Sequence, residues 1–211
     1  MLEGERYIID PMFGTKILGE KKSKFNGNLR VVNSFGLGTY IQSDGLTQSG
    51  GVVEGIWKQT LKKVHRSLSN IESVLILGLG GGTVAKLILK EFPDAKIKGV
   101  DIDPLIIGLG KKYLGLNEND IDIKIQDAAK PVSGKFDLVV VDLYKGDEFP
   151  GKFEDEKFLR ILGKNKFVII NRLYYREKKV LAEEFGKKLK KVFKRVEYFY
   201  PEANMMFFCY N

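Results

Sequence analysis

One segment constrains the fold of this chain more than any other: VLILGLGGGTVAKLI, residues 74–88. A near-continuous apolar strand pattern runs into closely spaced glycines, and an amphipathic helix pattern follows at once. Glycine tolerates positive φ and lets a ligand approach the backbone without a Cβ in the way. The helix that follows presents unpaired N–H groups to a polar ligand. The segment therefore predicts a ligand-binding turn between a buried strand and a helix.

From residue 73 onward, strand and helix patterns alternate, which is typical of a parallel sheet covered by helices. The last two strand-like runs are too close for a helical crossover, so we expect them to pair antiparallel. The predicted class is α/β, with a doubly wound, Rossmann-like sheet that ends in an antiparallel edge hairpin. Strands are predicted at 74–78, 96–101, 121–126, 136–142, 167–171, 195–199 and 205–210, and helices at 81–91, 104–114, 154–162 and 177–192.

The first fifty residues have a different pattern. Short strand-like runs at 6–10, 29–35 and 38–43, separated by glycines, asparagines and lysines, indicate a β-hairpin or meander. A helix with one apolar face is predicted at 52–68. The expected organisation is a short N-terminal β region, residues 1–50, and a Rossmann-like nucleoside-binding domain, residues 51–211.

Composition narrows the functional classes. Hydrophobic residues make up 44% of the 211 positions, enough for a proper core. The single cysteine, Cys209, excludes an intrachain disulfide and a cysteine-based zinc site, and no metal is expected. Neither a signal peptide nor an apolar run of 18 residues is recognisable, so we expect a cytoplasmic protein without a membrane partner. The net charge of +8 permits nucleic-acid binding, but the scattered lysines favour a solvated surface instead.

Two acids extend the glycine pattern. Asp101 ends the next predicted strand, where a carboxylate can accept hydrogen bonds from ribose hydroxyls. Asp127 follows the third parallel strand and is placed to receive an adenine amino group, with a turn-forming role as the structural alternative. Thr83 occupies the third glycine position of a dinucleotide fingerprint, and the chain leaves no residues for a substrate domain. S-adenosylmethionine or a relative is therefore favoured over NAD.

Several segments together resemble the spermidine synthase family, which comprises the polyamine aminopropyltransferases and their methyltransferase-like relatives. They are SDGLTQ (43–48), VLILGLGGGT (74–83), VDIDP (100–104), QDA (126–128) and FDLVVVDLYKGDEFP (136–150). The D-G-x-x-Q pattern in the first segment is more specific than the glycine loop, which many methyltransferases share. The resemblance implies a methyltransferase-type sheet, S-adenosylmethionine or decarboxylated S-adenosylmethionine as co-substrate, and a small-molecule amine acceptor. The resemblance is also compatible with a homodimer.

The resemblance also implies roles for individual residues. Asp142 becomes the catalytic carboxylate that receives the incoming amine, because a protonated amine needs a group that takes or shares its proton. The substrate-binding candidates are Glu54 and Trp57, by their spacing from Gln48, and Tyr144 and Asp147, which follow Asp142. The residues implied to bind the nucleoside are Gln48, Gly78, Gly80, Gly81, Asp101, Ile102, Asp127 and Ala128.

The sequence departs from the family in the part that would bind the acceptor. The family's second acid falls on Lys145, which would repel a diamine. Trp57 stands where an amine-contacting tyrosine is expected. Three functions therefore stay open at this point: aminopropyl transfer to an amine, methyl transfer on the same scaffold, and a non-catalytic nucleoside or nucleic-acid binding module.

Overall fold

The computed structural model describes residues 9–10, 14–67 and 70–211, which form two sheets connected by a helix. Positions 6–8 of the first predicted strand and position 68 of the first predicted helix lie outside the described residues. None of the helices in these ranges combines the length and the apolar character that crossing a membrane requires.

The N-terminal sheet is an antiparallel meander whose strands pair in chain order. Its strands are β1 (Ile9–Asp10), β2 (Thr15–Ser23), β3 (Gly27–Ser34), β4 (Gly38–Ser43) and β5 (Leu46–Gly50). Strands β2 and β5 were not predicted. Strand β2 is exposed or half-buried at every position but the last and carries three lysines, and β5 is short and polar, so neither shows the apolar alternation that marks a strand in sequence.

The second sheet has seven strands in the order β11-β12-β10-β9-β6-β7-β8. Its strands are β6 (Ser73–Leu77), β7 (Lys96–Asp101), β8 (Ile121–Ile125), β9 (Leu138–Val141), β10 (Phe167–Leu173), β11 (Arg195–Phe199) and β12 (Asn204–Tyr210). Strands β6 to β10 are parallel, and β12 pairs antiparallel with both β10 and β11. The predicted doubly wound sheet with an antiparallel hairpin at its edge is thus confirmed.

Helices cover both faces of this sheet. They are α1 (Gly51–Ser67), α2 (Thr83–Glu91), α3 (Pro104–Tyr113), α4 (Glu156–Leu162) and α5 (Lys178–Leu189). Side chains alternate along β6, so Val74 and Ile76 pack in one core with α1, α2 and α3, whereas Leu75 and Leu77 pack in the other with α4 and α5. All four residues of β9 are fully buried, as expected of a central parallel strand.

Helices α2 and α4 begin two residues later than predicted. Helix α2 starts at Thr83 because Gly82 has a φ of +86°, a left-handed conformation that lies outside the helix. Helix α4 starts at Glu156, after a separate 3₁₀ turn at Gly151–Phe153. Strand β6 lies between β7 and β9, so the chain order reverses beside it. This reversal creates a crevice at the carboxyl ends of the strands. The division into two units at residue 50 stays a prediction.

Candidate active site

A cleft of about 950 Å³ lies at the carboxyl ends of β6, β7 and β9, and the N-terminal sheet forms its opposite wall. This volume is at the upper end of the range for small-molecule sites. Three predicted site residues, Glu54, Gly81 and Asp147, are not part of the lining. The predicted residues that do line the cleft are Gln48, Trp57, Gly78, Gly80, Asp101, Ile102, Asp127, Ala128, Asp142 and Tyr144.

The glycine turn has the backbone conformation that its sequence suggested. Gly78, Gly80 and Gly82 have φ values of +90°, +55° and +86°, which side chains other than glycine rarely adopt. A Cβ atom on Gly78 would lie 2.0 Å from the carbonyl oxygen of Asp142. Glycine at this position therefore allows the turn to pack directly against the end of β9.

Gly81 serves packing in this structure. A Cβ atom there would lie 2.8 Å from Leu114, and the Gly81 N–H donates to the Ser49 hydroxyl at 2.7 Å. In the same region the Gly50 N–H donates to the Thr83 hydroxyl at 2.7 Å. These bonds fasten β5 of the N-terminal sheet to the turn, so the wall that carries Gln48 is held against the start of α2.

Asp101 ends β7 and faces the glycine turn. Its carboxylate accepts hydrogen bonds from the Gly80 N–H at 2.8 Å and from the Asp103 N–H at 2.9 Å. Burial raises the pKa of Asp101 above its ordinary value, although these backbone donors oppose the rise. Each carboxylate oxygen can accept more than one hydrogen bond, so Asp101 retains capacity for donors in the cleft.

Asp127 borders the cleft two residues after β8. Its carboxylate accepts from the Ala129 N–H at 2.9 Å and from the Lys152 ammonium at 2.5 Å. Partial desolvation acts to raise the pKa of Asp127, but the hydrogen bonds from Lys152 and the Ala129 N–H and the nearby lysine charges together outweigh it, so the net pKa is lowered. Asp127 is thus ionised at neutral pH, with one side paired to a lysine.

Asp103 connects the two sheets beside the cleft. It is buried, and its side chain caps α3 by accepting from the Leu105 N–H at 2.9 Å. The other oxygen accepts from the Ser23 hydroxyl at 2.5 Å and the Asn26 amide at 2.7 Å. Asp103 therefore holds the β2–β3 turn in place, and this turn brings Phe25 and Asn26 into the cleft lining.

Asp142 follows β9 and is held by two neutral donors. The Trp57 indole donates to Oδ2 at 2.9 Å, and the Asn171 amide donates to Oδ1 at 2.9 Å. The Asn171 amide is itself oriented, since its oxygen accepts from the Asn204 amide at 2.8 Å. Burial raises the pKa of Asp142 to about 6, against the effect of both hydrogen bonds.

This arrangement suits a proton acceptor. Neither the indole nor the amides can take a proton from Asp142, so they fix its orientation without neutralising it. A pKa of about 6 leaves the carboxylate ionised at neutral pH and more basic than an ordinary aspartate. A half-buried carboxylate with these properties, at the edge of a cleft, is a candidate general base.

Trp57 and Tyr144 were predicted to bind the acceptor, but their polar groups are bonded to other residues of the protein. Trp57 is fully buried, and its N–H is directed to Asp142. The Tyr144 hydroxyl accepts from the Leu173 N–H at 2.8 Å and donates to the Asn171 carbonyl at 3.2 Å. Burial raises the pKa of Tyr144, so its hydroxyl stays protonated. Tyr144 therefore presents its ring to the cleft, and its hydroxyl is used within the wall.

The short loop after Asp142 is held by hydrogen bonds within its own backbone. Lys145 and Glu148 exchange backbone hydrogen bonds of 2.9 and 3.1 Å. Asp147 forms an ion pair with Lys178 at 3.0 Å, outside the lining. The Gln48 amide donates to the Gly146 carbonyl at 3.3 Å, which joins the N-terminal wall to this loop.

Some lining residues belong to no motif that the sequence displayed. They are contributed by the β2–β3 turn, by the end of β10 and by the β11–β12 hairpin. The sequence could have indicated Asn171, because it is a polar residue directly after the apolar run FVII and so at the end of a predicted strand. The residues concerned are Phe25, Asn26, Asn171, Glu202 and Asn204.

Comparison with known proteins finds a matching family model and several similar curated proteins. The family model described as Methyltransferase small domain matches residues 59–142. A polyamine aminopropyltransferase of Sulfurisphaera tokodaii is 35% identical over 141 residues, which cover 61% of this chain and 46% of the relative. One of Clostridium perfringens is 30% identical over 194 residues, which cover 85% of this chain and 66% of the relative. The chain thus spans about half to two thirds of the length of these curated relatives.

A solved structure shares the fold. Spermidine synthase from Thermotoga maritima superposes with a TM-score of 0.73 at 19% identity, over 92% of this chain and 72% of the other. Strand order, glycine turn and cleft together define a Rossmann-like protein of the methyltransferase type. Within that class, the chain belongs to the spermidine synthase-like family.

Proposed function

We propose that this protein is a transferase that binds decarboxylated S-adenosylmethionine and transfers its aminopropyl group to an amine acceptor. The observation that carries the proposal is the carboxylate of Asp142. It lies in the cleft beyond the glycine turn, is oriented by Trp57 and Asn171, and has a pKa of about 6. The names of the two relatives support the same activity. A cytoplasmic location and a homodimer stay predictions.

The donor fits the half of the cleft around the glycine turn. Asp101 has acceptor capacity for the ribose hydroxyls, and Asp127 for the adenine amino group. Ile102 and Ala128 offer apolar surface on which an adenine ring can pack, and Gln48 closes the opposite wall. The turn itself leaves room for the ligand because glycine adds no side chain.

The chemistry needs a base beside the reacting amine. The nitrogen lone pair attacks the carbon next to the sulfonium, the new C–N bond forms, and the C–S bond breaks with its electron pair on sulfur. The products are methylthioadenosine and an aminopropylated ammonium. Asp142 takes or shares the proton that the nitrogen must lose, and it orients the lone pair for in-line attack.

Methylthioadenosine release tests the proposal directly. The full chain is incubated with decarboxylated S-adenosylmethionine and a panel of monoamines, diamines and polyamines, and the nucleoside product is measured by chromatography. We expect product with at least one amine from wild-type protein and a large loss with Asp142→Asn. Absence of product with every amine, in a protein that binds methylthioadenosine, would refute aminopropyl transfer.

A methyltransferase activity is the alternative, because Lys145 lines the cleft. A lysine can pair with the carboxylate that S-adenosylmethionine retains and that its decarboxylated form lacks. Calorimetry with both donors separates the two activities. Tighter binding of the decarboxylated donor supports aminopropyl transfer, whereas a preference for S-adenosylmethionine that Lys145→Gln abolishes supports methyl transfer.

A further inference from the structure

The loop after Asp142 brings a positive charge to the cleft and no acid. Lys145 is exposed and lines the cleft. Asp147 is paired with Lys178 at 3.0 Å and is not in the lining. An acceptor with a second ammonium group would therefore find no counter-charge on this loop.

A further carboxylate lines the cleft on the side of Asp142 that lies away from Asp101, because β12 and β7 are on opposite sides of β9 in the sheet. Four acids border the cleft among the described residues, and Asp101 and Asp127 belong to its nucleoside half. The fourth, Glu202, lies in the turn between β11 and β12. Within the described ranges, no side chain forms an ion pair or a hydrogen bond with its carboxylate.

The conformation of Glu202 is unusual for a residue with a side chain. Its φ is +52°, in the left-handed region that favours glycine. Such a residue persists only where the surrounding structure holds it, and these positions are frequent at binding sites.

Hydrogen bonds fix the turn relative to Asp142. The Asn204 N–H donates to the Pro201 carbonyl at 3.1 Å, and the Tyr174 N–H donates to the Ala203 carbonyl at 2.7 Å. The Asn204 side chain continues through Asn171 to Asp142. Strand β12 lies two strands from β9, a lateral separation of about 10 Å.

We propose that Glu202 binds the second positively charged group of the acceptor and so determines acceptor specificity. This inference rests on the proposed function. If the two carboxylates are spaced as their strands are, ammonium groups bound to both through hydrogen bonds of about 2.8 Å would have roughly three to five methylenes between them. The hairpin thereby supplies the counter-charge that the loop with Lys145 does not.

The experiment compares two acceptors that differ only in the second amine, 1,4-diaminobutane and 1-aminobutane. With decarboxylated S-adenosylmethionine as donor, we expect Glu202→Gln to lower kcat/KM for the diamine about fivefold, mainly through KM. The value for the monoamine should not change. Glu184→Gln, which removes an exposed acid from α5, is the matched control and should leave both values unchanged.

A second variant separates charge from folding. Glu202→Gly removes the carboxylate and relieves the left-handed strain, so it should be at least as stable as wild type and should lose the same diamine preference. Equal losses for both amines, or unchanged selectivity in both variants, would overturn the inference.

Binding provides a readout that does not depend on turnover. Calorimetric titration of 1,4-diaminobutane into protein saturated with methylthioadenosine should show weaker binding in Glu202→Gln than in wild type. If wild type binds the diamine no better than the variant, Glu202 does not select the acceptor. If no amine is turned over but the diamine still binds through Glu202, the proposed reaction fails and the acceptor site stands.

Discussion

The two halves of the cleft are built in different ways. The nucleoside half consists of consecutive strand ends, with the glycine turn after β6 and Asp101 at the end of β7. The acceptor half is assembled around Asp142 from segments far apart in the chain, with Trp57 from α1, Asn171 from β10 and Asn204 from β12. The first half depends mainly on backbone geometry, and the second on a network of side chains.

The difference shows where specificity can change within one family. A backbone turn tolerates few substitutions, since its glycines have left-handed φ values and close contacts. Side chains on separate segments can be exchanged one at a time. Lys145 in the loop and Glu202 in the hairpin are such positions, and both face the acceptor half. We therefore expect the donor-binding half to tolerate little change in sequence, and the choice of acceptor to change more readily.

The largest expected effect is on the acceptor half. Asp142→Asn removes the proton acceptor, so kcat should fall about 10³-fold, as is typical for loss of a general base. Affinity for methylthioadenosine, measured by calorimetry, should stay within about twofold because the nucleoside half is unchanged. Asp122→Asn, an exposed acid on β8, is the matched control. A kcat within tenfold of wild type would show that Asp142 is not the base.

The next largest effect is expected on stability, where the glycine turn of the nucleoside half packs against Asp142 of the acceptor half. In Gly78→Ala the new Cβ would meet the Asp142 carbonyl at 2.0 Å and the residue would have to keep a φ of +90°. We expect the free energy of unfolding to fall by about 3 kcal/mol or more. Urea denaturation measures it. Gly108→Ala, in α3 with no atoms within 4 Å of the added Cβ, should instead gain about 0.5 kcal/mol. Equal stabilities of the two variants would contradict this picture of the turn.

The same division explains what the sequence could predict. Glycine turn, strand and acid follow one another within a short stretch, so local pattern was enough to place Gly78, Gly80 and Asp101 around one cleft. Asn171 and Asn204 are ordinary polar residues whose pairing depends on β12 lying beside β10, and that adjacency is a tertiary fact. Glu202 gave no signal because a charged residue in a hairpin turn usually faces solvent.

Asp101→Asn probes the nucleoside half alone. An amide would place an N–H₂ group against the Gly80 or the Asp103 N–H, each of which now donates to the carboxylate. Losing a charged acceptor for the ribose should weaken methylthioadenosine binding about 30-fold, as expected for a hydrogen bond to a charged group. Calorimetry measures this, with the exposed Asp94→Asn as control. Unchanged affinity would mean that the ribose is not bound at Asp101.

The smallest effect tests how Asn204 acts on Asp142 through Asn171. In Asn204→Asp the new carboxylate accepts where the amide donated, so the Asn171 amide turns its N–H₂ toward residue 204 and its oxygen toward Asp142. Asp142 then loses a donor and gains a nearby negative charge, and both effects raise its pKa above about 6. Because the ionised form is the base, kcat/KM in wild type should fall below about pH 6, and the acid limb in the variant should move upward by about one unit. That shift lowers activity roughly fivefold at pH 6 and little at pH 8.5. If Asn204 has only a structural role, activity should fall equally at every pH. The exposed control Asn119→Asp should change neither the activity nor its pH dependence.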